Sequence, residues 1–401
     1  MQGERDIASR RLRILHVFRA PLGGLFRHVV DLANAQVERG HEVGLFFDCQ
    51  ARGENVARAL ASISGGLALG VWGAPIRRNP HVSDVVAIAK FRRLVARVKP
   101  DVLHGHGSKG GLYARLPGLT RDGHGPVRAY TPHGGSFNYR PGALTHRAFM
   151  AAEKMLAMST DVFLFESAYI AGRFDAYVGA KRGVRRIVAN GIGAAEFERA
   201  LPDPDAAEFL YVGELRAAKG IDTLLDAVAI ARTKLGRTPR TVLVGSGPDK
   251  EMLLAQAQKL GIADHLAFPG PMPVRQAFNL GRIMVVPSRA ESMPYVVLEA
   301  AGARVPLIAT NVGGIPEIFG PYRNRLGPSG DAQDLCDRML AKLAEPQSAR
   351  DEQAADLAFF VAENFSIKSM VNSVMSGYRD ALLRRMPTFS DARVVGVQSE
   401  I

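Results

Sequence analysis

Cysteine is nearly absent from this chain of 401 residues. Cys49 and Cys336 are too few and too far apart in sequence for a disulfide framework or a zinc site, which points to a reducing compartment. The N-terminus lacks the apolar core of a signal peptide, and no stretch approaches the roughly 20 apolar residues that span a bilayer. A cytoplasmic protein is expected, with any membrane contact peripheral at an inner face. Low-complexity tracts are missing too. At 47% hydrophobic and 22% charged residues, a chain of this length can bury two substantial cores, so two domains are expected. Acidic residues are scarce in the first half only: residues 1–200 carry 29 Lys and Arg against 16 Asp and Glu, and residues 201–401 carry 22 against 23. The net charge of +12 therefore sits in the first half, in clusters such as Arg10-Arg11 with Arg13, Arg92-Arg93 with Arg97 and Lys99, and Lys181-Arg182 with Arg185-Arg186. Such clusters suit an anionic lipid surface, where about 1 kcal/mol per basic residue makes four to six enough for reversible docking. They also suit nucleic acid, or an arginine-rich solvated face with no partner, and no recognised nucleic-acid reader motif accompanies them.

What is present is an alternation of short apolar runs with helical patterns, the signature of parallel strands joined by crossover helices. Strands are expected at Arg13–Phe18, Glu42–Phe47, Leu67–Trp72, Asp101–Gly105, Val127–Thr131, Asp161–Phe165 and Arg186–Ala189. The pattern restarts with Phe209–Val212, Thr241–Val244, Leu266–Pro269, Ile283–Pro287 and Pro306–Thr310. A helix over Phe26–Arg39 follows the first strand. The polar, proline-stiffened stretch Leu201-Pro-Asp-Pro-Asp205 reads as the linker, with the boundary near Pro204, giving domains over 11–200 and 206–365 and a last helix over 366–385. Met1–Arg10 and Met386–Ile401 read as loose ends.

Ser288–Gly302 carries the densest signal. Ser292 can cap a helix, Pro294 suits its first turn, and the residues from Met293 through Tyr295 and Val296 to Ala301 form helix well. Glu291 then precedes the helix and Glu299 lies within it. The unpaired N–H groups and positive dipole end between them make an anion site. A phosphate on the helix end, ribose hydroxyls on Glu299 and hexose hydroxyls on Glu291 fit this layout. A capped surface helix with two solvated glutamates carries the same residues, so the segment alone leaves both readings open.

Further glycine-rich turns follow strands. Gly23 and Gly24 open a helix and allow a diphosphate close to the backbone, or form a tight turn. Arg216 and Lys219 follow Val212-Gly213 as cations that either meet a leaving diphosphate or are solvated. Gly245-Ser-Gly247-Pro248 and Phe268-Pro269-Gly270 end two strands and flank a base, or are turn chemistry alone. Gly245-Ser-Gly lacks the third glycine of a dinucleotide fingerprint, which argues against nicotinamide. His133 stands in Tyr130-Thr-Pro-His-Gly-Gly-Ser-Phe137, beside a ligand or capping a turn. His104, Gly105, His106, Gly107, Ser108 and Lys109 follow another strand and suit an acceptor side. His104 and His106 have no carboxylate or cysteine companion, so no metal site is expected.

The glycine pair at 23–24, the turn Val212-Gly-Glu-Leu-Arg-Ala-Ala-Lys-Gly220, Gly245–Pro248, the glutamate pair and Gly313-Gly-Ile-Pro-Glu317 occur in the order found in retaining, nucleotide-sugar-dependent glycosyltransferases of family four. The chain resembles that family from about Arg13 to about Arg385. The resemblance implies an α/β GT-B fold: two Rossmann-like domains with parallel sheets facing a central cleft, and a C-terminal helix crossing back to the first domain. It implies transfer of a sugar from a nucleoside diphosphate to an acceptor hydroxyl with retention, without metal or other cofactor. The donor would bind to the second domain and a glycan or lipid-linked acceptor to the first, as in bacterial surface polysaccharide synthesis. It assigns His133 to the donor sugar, and an arginine and a lysine to the diphosphate. Relatives often place that arginine directly after the glycine, where Glu214 stands, so Arg216 is read as its replacement. Asn190-Gly191 resembles the interdomain turn, with Gly193 where an aspartate is common. A nucleotide-sugar epimerase of the same fold and a basic nucleic-acid-binding protein are the rival readings.

Overall fold

In a computed structural model the structure describes residues 10–50, 53–63, 65–79, 81–116, 125–139, 141–180 and 182–385. Lys181 and the expected loose ends at 1–9 and 386–401 lie outside these residues.

The chain divides into two compact units: residues 1–166, 171–188 and 370–401 form the first, and residues 167–170 and 189–369 the second. The first holds a sheet of seven parallel strands: β1 (Arg13–Val17), β2 (Glu42–Asp48), β3 (Gly70–Ala74), β4 (Val102–His106), β5 (Val127–Thr131), β6 (Val162–Phe165) and β7 (Val184–Ile187), in the order β3-β2-β1-β4-β5-β6-β7. Successive side chains of a strand leave on opposite faces. Phe46 therefore joins one core cluster with Leu15, Val17 and Phe91, while its neighbours Leu45 and Phe47 join another with Phe18, Phe26 and Val29.

The second unit holds five parallel strands: β8 (Ala207–Val212), β9 (Thr241–Val244), β10 (Leu266–Gly270), β11 (Gly281–Val286) and β12 (Leu307–Ala309), in the order β10-β9-β8-β11-β12. Its sheet also separates two clusters, with Leu210, Met284 and Val286 on one side and Phe209, Tyr211, Ile283 and Val285 on the other.

Strand order reverses between β1 and β4 in the first unit and between β8 and β11 in the second. In open parallel sheets, ligands bind beyond the carboxyl ends of the strands at such a reversal. The loops leaving these four strands are therefore where function is sought.

Two expectations shift. The third strand starts at Gly70 rather than Leu67, because Gly65, Gly66 and Gly70 all adopt positive φ and keep the chain turning. The boundary expected near Pro204 falls inside the second unit. Residues 190–203 are bonded to it throughout: Asn190 Nδ2 donates to the Met293 carbonyl at 2.7 Å, Ala200 N to Ala303 O at 2.9 Å and Asp203 N to Asn279 O at 2.8 Å. The last helix, Ile367–Arg384, returns to the first unit as expected: it belongs there from Met370 onward, where Gly377 packs on Leu164 and Val162, and Tyr378 reaches His104. No helix among the described residues is long and apolar enough to cross a membrane.

Candidate active site

The loops leaving β8 and β11 bring Lys219 and Glu291, 72 residues apart, into an ion pair of 2.6 Å between Nζ and Oε1. Ser288 Oγ donates to the same Glu291 oxygen at 2.7 Å. The Lys219 turn is held from the other loop by Arg289, which forks onto Asp222 at 2.7 and 2.6 Å and also donates to the Ala217 carbonyl at 2.9 Å. Burial pushes the Asp222 carboxyl up, but the Arg289 fork outweighs it and holds the group below the ordinary carboxylate range. Backbone bonds from Arg289 N and Ala290 N to Ala218 O complete the clamp. The sequence carries no sign of this arginine's role, since Arg289 and Asp222 meet only once β8 and β11 lie side by side.

Glu291 is backed by glycine. At Gly313, φ is +59° and a Cβ would stand 1.9 Å from the Glu291 carbonyl oxygen; at Gly314 it would stand 2.1 Å from that of Ser292. Glu317, from the same motif, accepts the backbone N–H groups of Ala168 and Tyr169 at 2.8 and 3.0 Å.

The helix after Glu291 begins at Tyr295 and ends at Gly302. The expected Ser292 cap is corrected: Pro294, extended at φ −75° and ψ 121°, is the residue before the helix, and no side chain caps it. A proline placed there leaves Ser292 too far upstream to reach the first turn. The Pro294 carbonyl accepts from Val297 and Leu298 N–H, which start the helix's own ladder. Met293, Pro294, Tyr295, Glu291 and Glu299 are buried, whereas Ser292 and Val296 are partly exposed. Arg216 is half exposed and pairs at 2.9 Å with Glu214, the residue that stands where relatives often carry the arginine. Gly245 and Gly247 lie against backbone, where added Cβ atoms would stand 1.9 Å from Gly213 O and 2.2 Å from Leu215 O. Packing between loops thus accounts for both glycines. Pro269 is exposed in β10. Asn190 holds the Met293 carbonyl, and Glu196 takes the Gly193 N–H at 2.6 Å at the place where relatives often carry an aspartate.

In the first unit, Gly23 and Gly24 are the first residues of the helix Gly23–Glu38, and a Cβ at Gly23 would meet nothing within 4 Å. His133 sits after β5 with φ +50°, and the following Gly134 N–H bonds to Glu166. The next turn is anchored by Glu153, which accepts from Ser136 and Tyr130 hydroxyls and pairs with fully buried Arg115 at 2.8 Å.

Behind His133 lies a chain of imidazoles. His133 Nε2 is 3.1 Å from His106 Nδ1, His106 Nε2 is 2.9 Å from His16 Nδ1, and His16 Nε2 is 2.8 Å from Gln36 Oε1. Burial pulls the His16 pKa down to about 4 against the opposing hydrogen bond that His16 donates to Gln36, and holds His104, His106 and His133 well below the ordinary histidine value. The rings are therefore neutral at pH 7. Gln36 Oε1 can only accept, so each proton of the chain stands on Nε2 and Nδ1 of His133 is an acceptor.

The expectation that His104 and His106 line an open acceptor surface is corrected, because both are buried and bonded inward, His104 to Thr131 and Tyr378 at 2.8 and 2.7 Å. Lys109 is paired with Asp84 at 2.7 Å. The two histidines also gain companions that spacing does not reveal: ring nitrogens of His16, His104 and His106, and of His28, His106 and His133, lie within 4.8 Å of one another. Both nitrogens of His104 and of His106 are committed to hydrogen bonds, so neither group offers three uncommitted ligand atoms.

Residues 22–196 match the family described as Glycosyltransferase Family 4, and residues 194–356 match Glycosyl transferases group 1. A Bacillus subtilis protein named as a teichuronic acid biosynthesis glycosyltransferase, TuaC, is 31% identical over 308 residues, covering 73% of this chain and 72% of that one. Glycogen synthase of Mycobacterium tuberculosis is 29% identical over 326 residues, 74% and 76% of the two chains. Among solved structures, sucrose-phosphate synthase from Thermosynechococcus elongatus is similar with a TM-score of 0.75 at 19% identity, over 93% of this chain and 100% of that one. Anabaena HepE in complex with UDP-glucose gives 0.73 at 15%, over 94% and 100%. The fold is that of the two-domain GT-B structures.

Proposed function

Because this chain belongs to glycosyltransferase family 4, we propose that it moves a sugar from a nucleoside diphosphate to a hydroxyl of a lipid-linked glycan, with retention at the anomeric carbon, in bacterial surface polysaccharide synthesis. The observation that carries this reading is the Lys219–Glu291 pair at the strand reversal of the second unit, immediately before the open end of the helix Tyr295–Gly302. Lysine has three N–H donors, and Glu291 occupies one, so two remain for a diphosphate. The positive dipole end of the helix Tyr295–Gly302 supplies the rest of the anion site. Glu299 takes ribose hydroxyls, Glu291 orients the sugar, and Gly245, Gly247 and Pro269 flank the base.

Protein cations, Lys219 with Arg216, neutralise the departing diphosphate, so no metal is required. The departing phosphate oxygen takes the acceptor's proton on the face where the new bond forms. The protein's tasks are positioning and exclusion of water. His133 meets the sugar as an acceptor through Nδ1. HepE's structure with UDP-glucose supports a nucleotide-sugar donor, and TuaC's name supports a surface polysaccharide product. The basic first half supports an acceptor presented at an anionic membrane face, with the protein held there peripherally, and the lack of a reader motif argues against nucleic acid as the partner.

The test is a screen of nucleotide sugars by thermal shift, followed by transfer to a lipid diphosphate-linked sugar in the presence of a chelator and NMR of the product's anomeric linkage. Transfer with the donor's anomeric configuration kept is expected. Inversion, or loss of activity restored by metal, overturns the mechanism, and epimerised donor formed without acceptor overturns the reaction class.

A further inference from the structure

A line of hydrogen-bonded side chains runs inward from His133 and ends on a glutamine. In the first unit's sheet β1, β4 and β5 are neighbours, with His16 opposite His104 and His106 opposite Thr131. Residues two apart on a strand share a face, so His16, His104 and His106 leave the sheet on one side. The helix Gly23–Glu38 brings Gln36 to that side, where Gln36, His16 and His106 are all buried. His133 is partly exposed, so the line joins a surface the substrate can reach to the interior.

Burying so many polar groups is costly unless each is bonded, and apolar side chains would fill the same space without that demand. The three imidazoles can be satisfied in two ways, with every proton on Nε2 or every proton on Nδ1. Reversing one ring obliges the next to reverse, because two facing N–H groups or two facing lone pairs make no hydrogen bond. The end of the line therefore decides its direction. Gln36 presents Oε1 to His16 at 2.8 Å and Nε2 to Met375 Sδ at 3.7 Å. A thioether sulfur only accepts, so the amide nitrogen belongs on the Met375 side and the oxygen on the His16 side. Gln36 also bonds the Tyr378 hydroxyl, which reaches His104 Nδ1 at 2.7 Å, and His104 Nε2 reaches Thr131 Oγ1 at 2.8 Å. Turning the amide over would reverse the line to His133 and set a carbonyl oxygen against the sulfur.

We propose that Gln36, held in one orientation by Met375 of the C-terminal helix, is a positioning residue that keeps the Nδ1 lone pair of His133 turned to the donor sugar. This rests on the assignment of His133 to that sugar made above. Gln36 touches no substrate and acts through His16 and His106. As the diphosphate leaves, the anomeric carbon gains positive charge, which a lone pair at Nδ1 stabilises and an N–H there would oppose.

The experiment uses the full chain with isotope-labelled histidine. Long-range proton–nitrogen NMR of the unliganded protein reads which ring nitrogen of His133 carries the proton, with His133→Gln for assignment. The wild type is expected to be protonated on Nε2. Gln36→Leu removes the acceptor that fixes the direction, and Met375→Leu keeps the volume and the amide but removes the sulfur that orients it. Both should move the proton of His133 toward a mixture of Nδ1 and Nε2, and the milder Met375→Leu keeps the proposal testable should Gln36→Leu fail to fold. Transfer from the donor identified by the thermal-shift screen should fall about tenfold in Gln36→Leu, the scale of one hydrogen bond. Affinity for the nucleoside diphosphate, which has no sugar for His133 to meet, should stay within about threefold. A wild-type His133 protonated on Nδ1, or Nε2 protonation that persists in the variants, overturns the proposal. So does a shifted proton with unchanged transfer. The NMR needs no substrate, so a wild-type protein that transfers no sugar fails the proposed function, while the tautomer separately decides whether Gln36 sets the direction of the line.

Discussion

Lys219 and Glu291 look like separate actors in the sequence, one for the diphosphate and one for the sugar. Their 2.6 Å contact couples them. Removing either leaves a largely buried partner charge without its counterion, so the two substitutions cannot be additive. Lys219→Ala should weaken nucleoside diphosphate binding, and Glu291→Ala should also weaken it by releasing the ammonium group. A double-mutant cycle on that affinity should give a coupling of about 1 kcal/mol or more. Additive effects would mean that the pair does not persist in solution. The motif exposes both residues to a reader of the sequence, but the pairing depends on β8 and β11 being neighbours, and strand order is not written in local pattern. Arg289 stays hidden for the same reason.

At the level of elements, turns and helix ends are decided by whether a Cβ has room. Gly23 and Gly313 both have positive φ, near +60°, yet their surroundings differ. Gly23 faces open space, so Gly23→Ala should cost only the left-handed conformation, about 1–2 kcal/mol. Gly313→Ala adds a Cβ overlapping the Glu291 carbonyl and should cost about 3 kcal/mol or more, displacing Glu291 as it does so. Urea unfolding of the two variants measures the difference, and equal losses would refute the backing role of Gly313. Strand positions are legible from short apolar runs because both faces of these sheets are covered. Helix starts are less so: Ser292 has the chemistry of a cap, but Pro294 two residues later sets the true start.

For the molecule as a whole, the GT-B architecture could be anticipated because the strand–helix alternation restarts midway and family motifs recur in order. The unit boundary could not, since proline-rich composition marks a stiff segment and says nothing of what it packs on. Nor could the histidine cluster, whose members come from β1, the helix Gly23–Glu38, β4 and the loop after β5. That cluster makes a prediction about acid stability. The folded pKa of His16, about 4, lies below the ordinary 6.5, so between those values the unfolded chain binds a proton that the folded chain does not. Stability should be full above about pH 6.5 and fall as pH drops through this window, by on the order of 3 kcal/mol for His16 over the whole of it. His104, His106 and His133 act in the same direction. Urea unfolding between pH 7.5 and 5 should show the decline, and His16→Gln should reduce its slope. A flat profile would show that the cluster is not buried and neutral.

In the proposed reaction the second unit's strand reversal holds a nucleoside diphosphate, with Glu299 on the ribose. The most direct measurement is calorimetric titration of the wild-type protein and of Glu299→Ala with the nucleoside diphosphate of the donor found by screening, each compared with inorganic pyrophosphate. Glu299→Ala is expected to weaken nucleoside diphosphate binding about tenfold or more, the scale of losing hydrogen bonds to a charged group, and to leave pyrophosphate affinity unchanged. Equal nucleoside diphosphate affinity in the two proteins would contradict it.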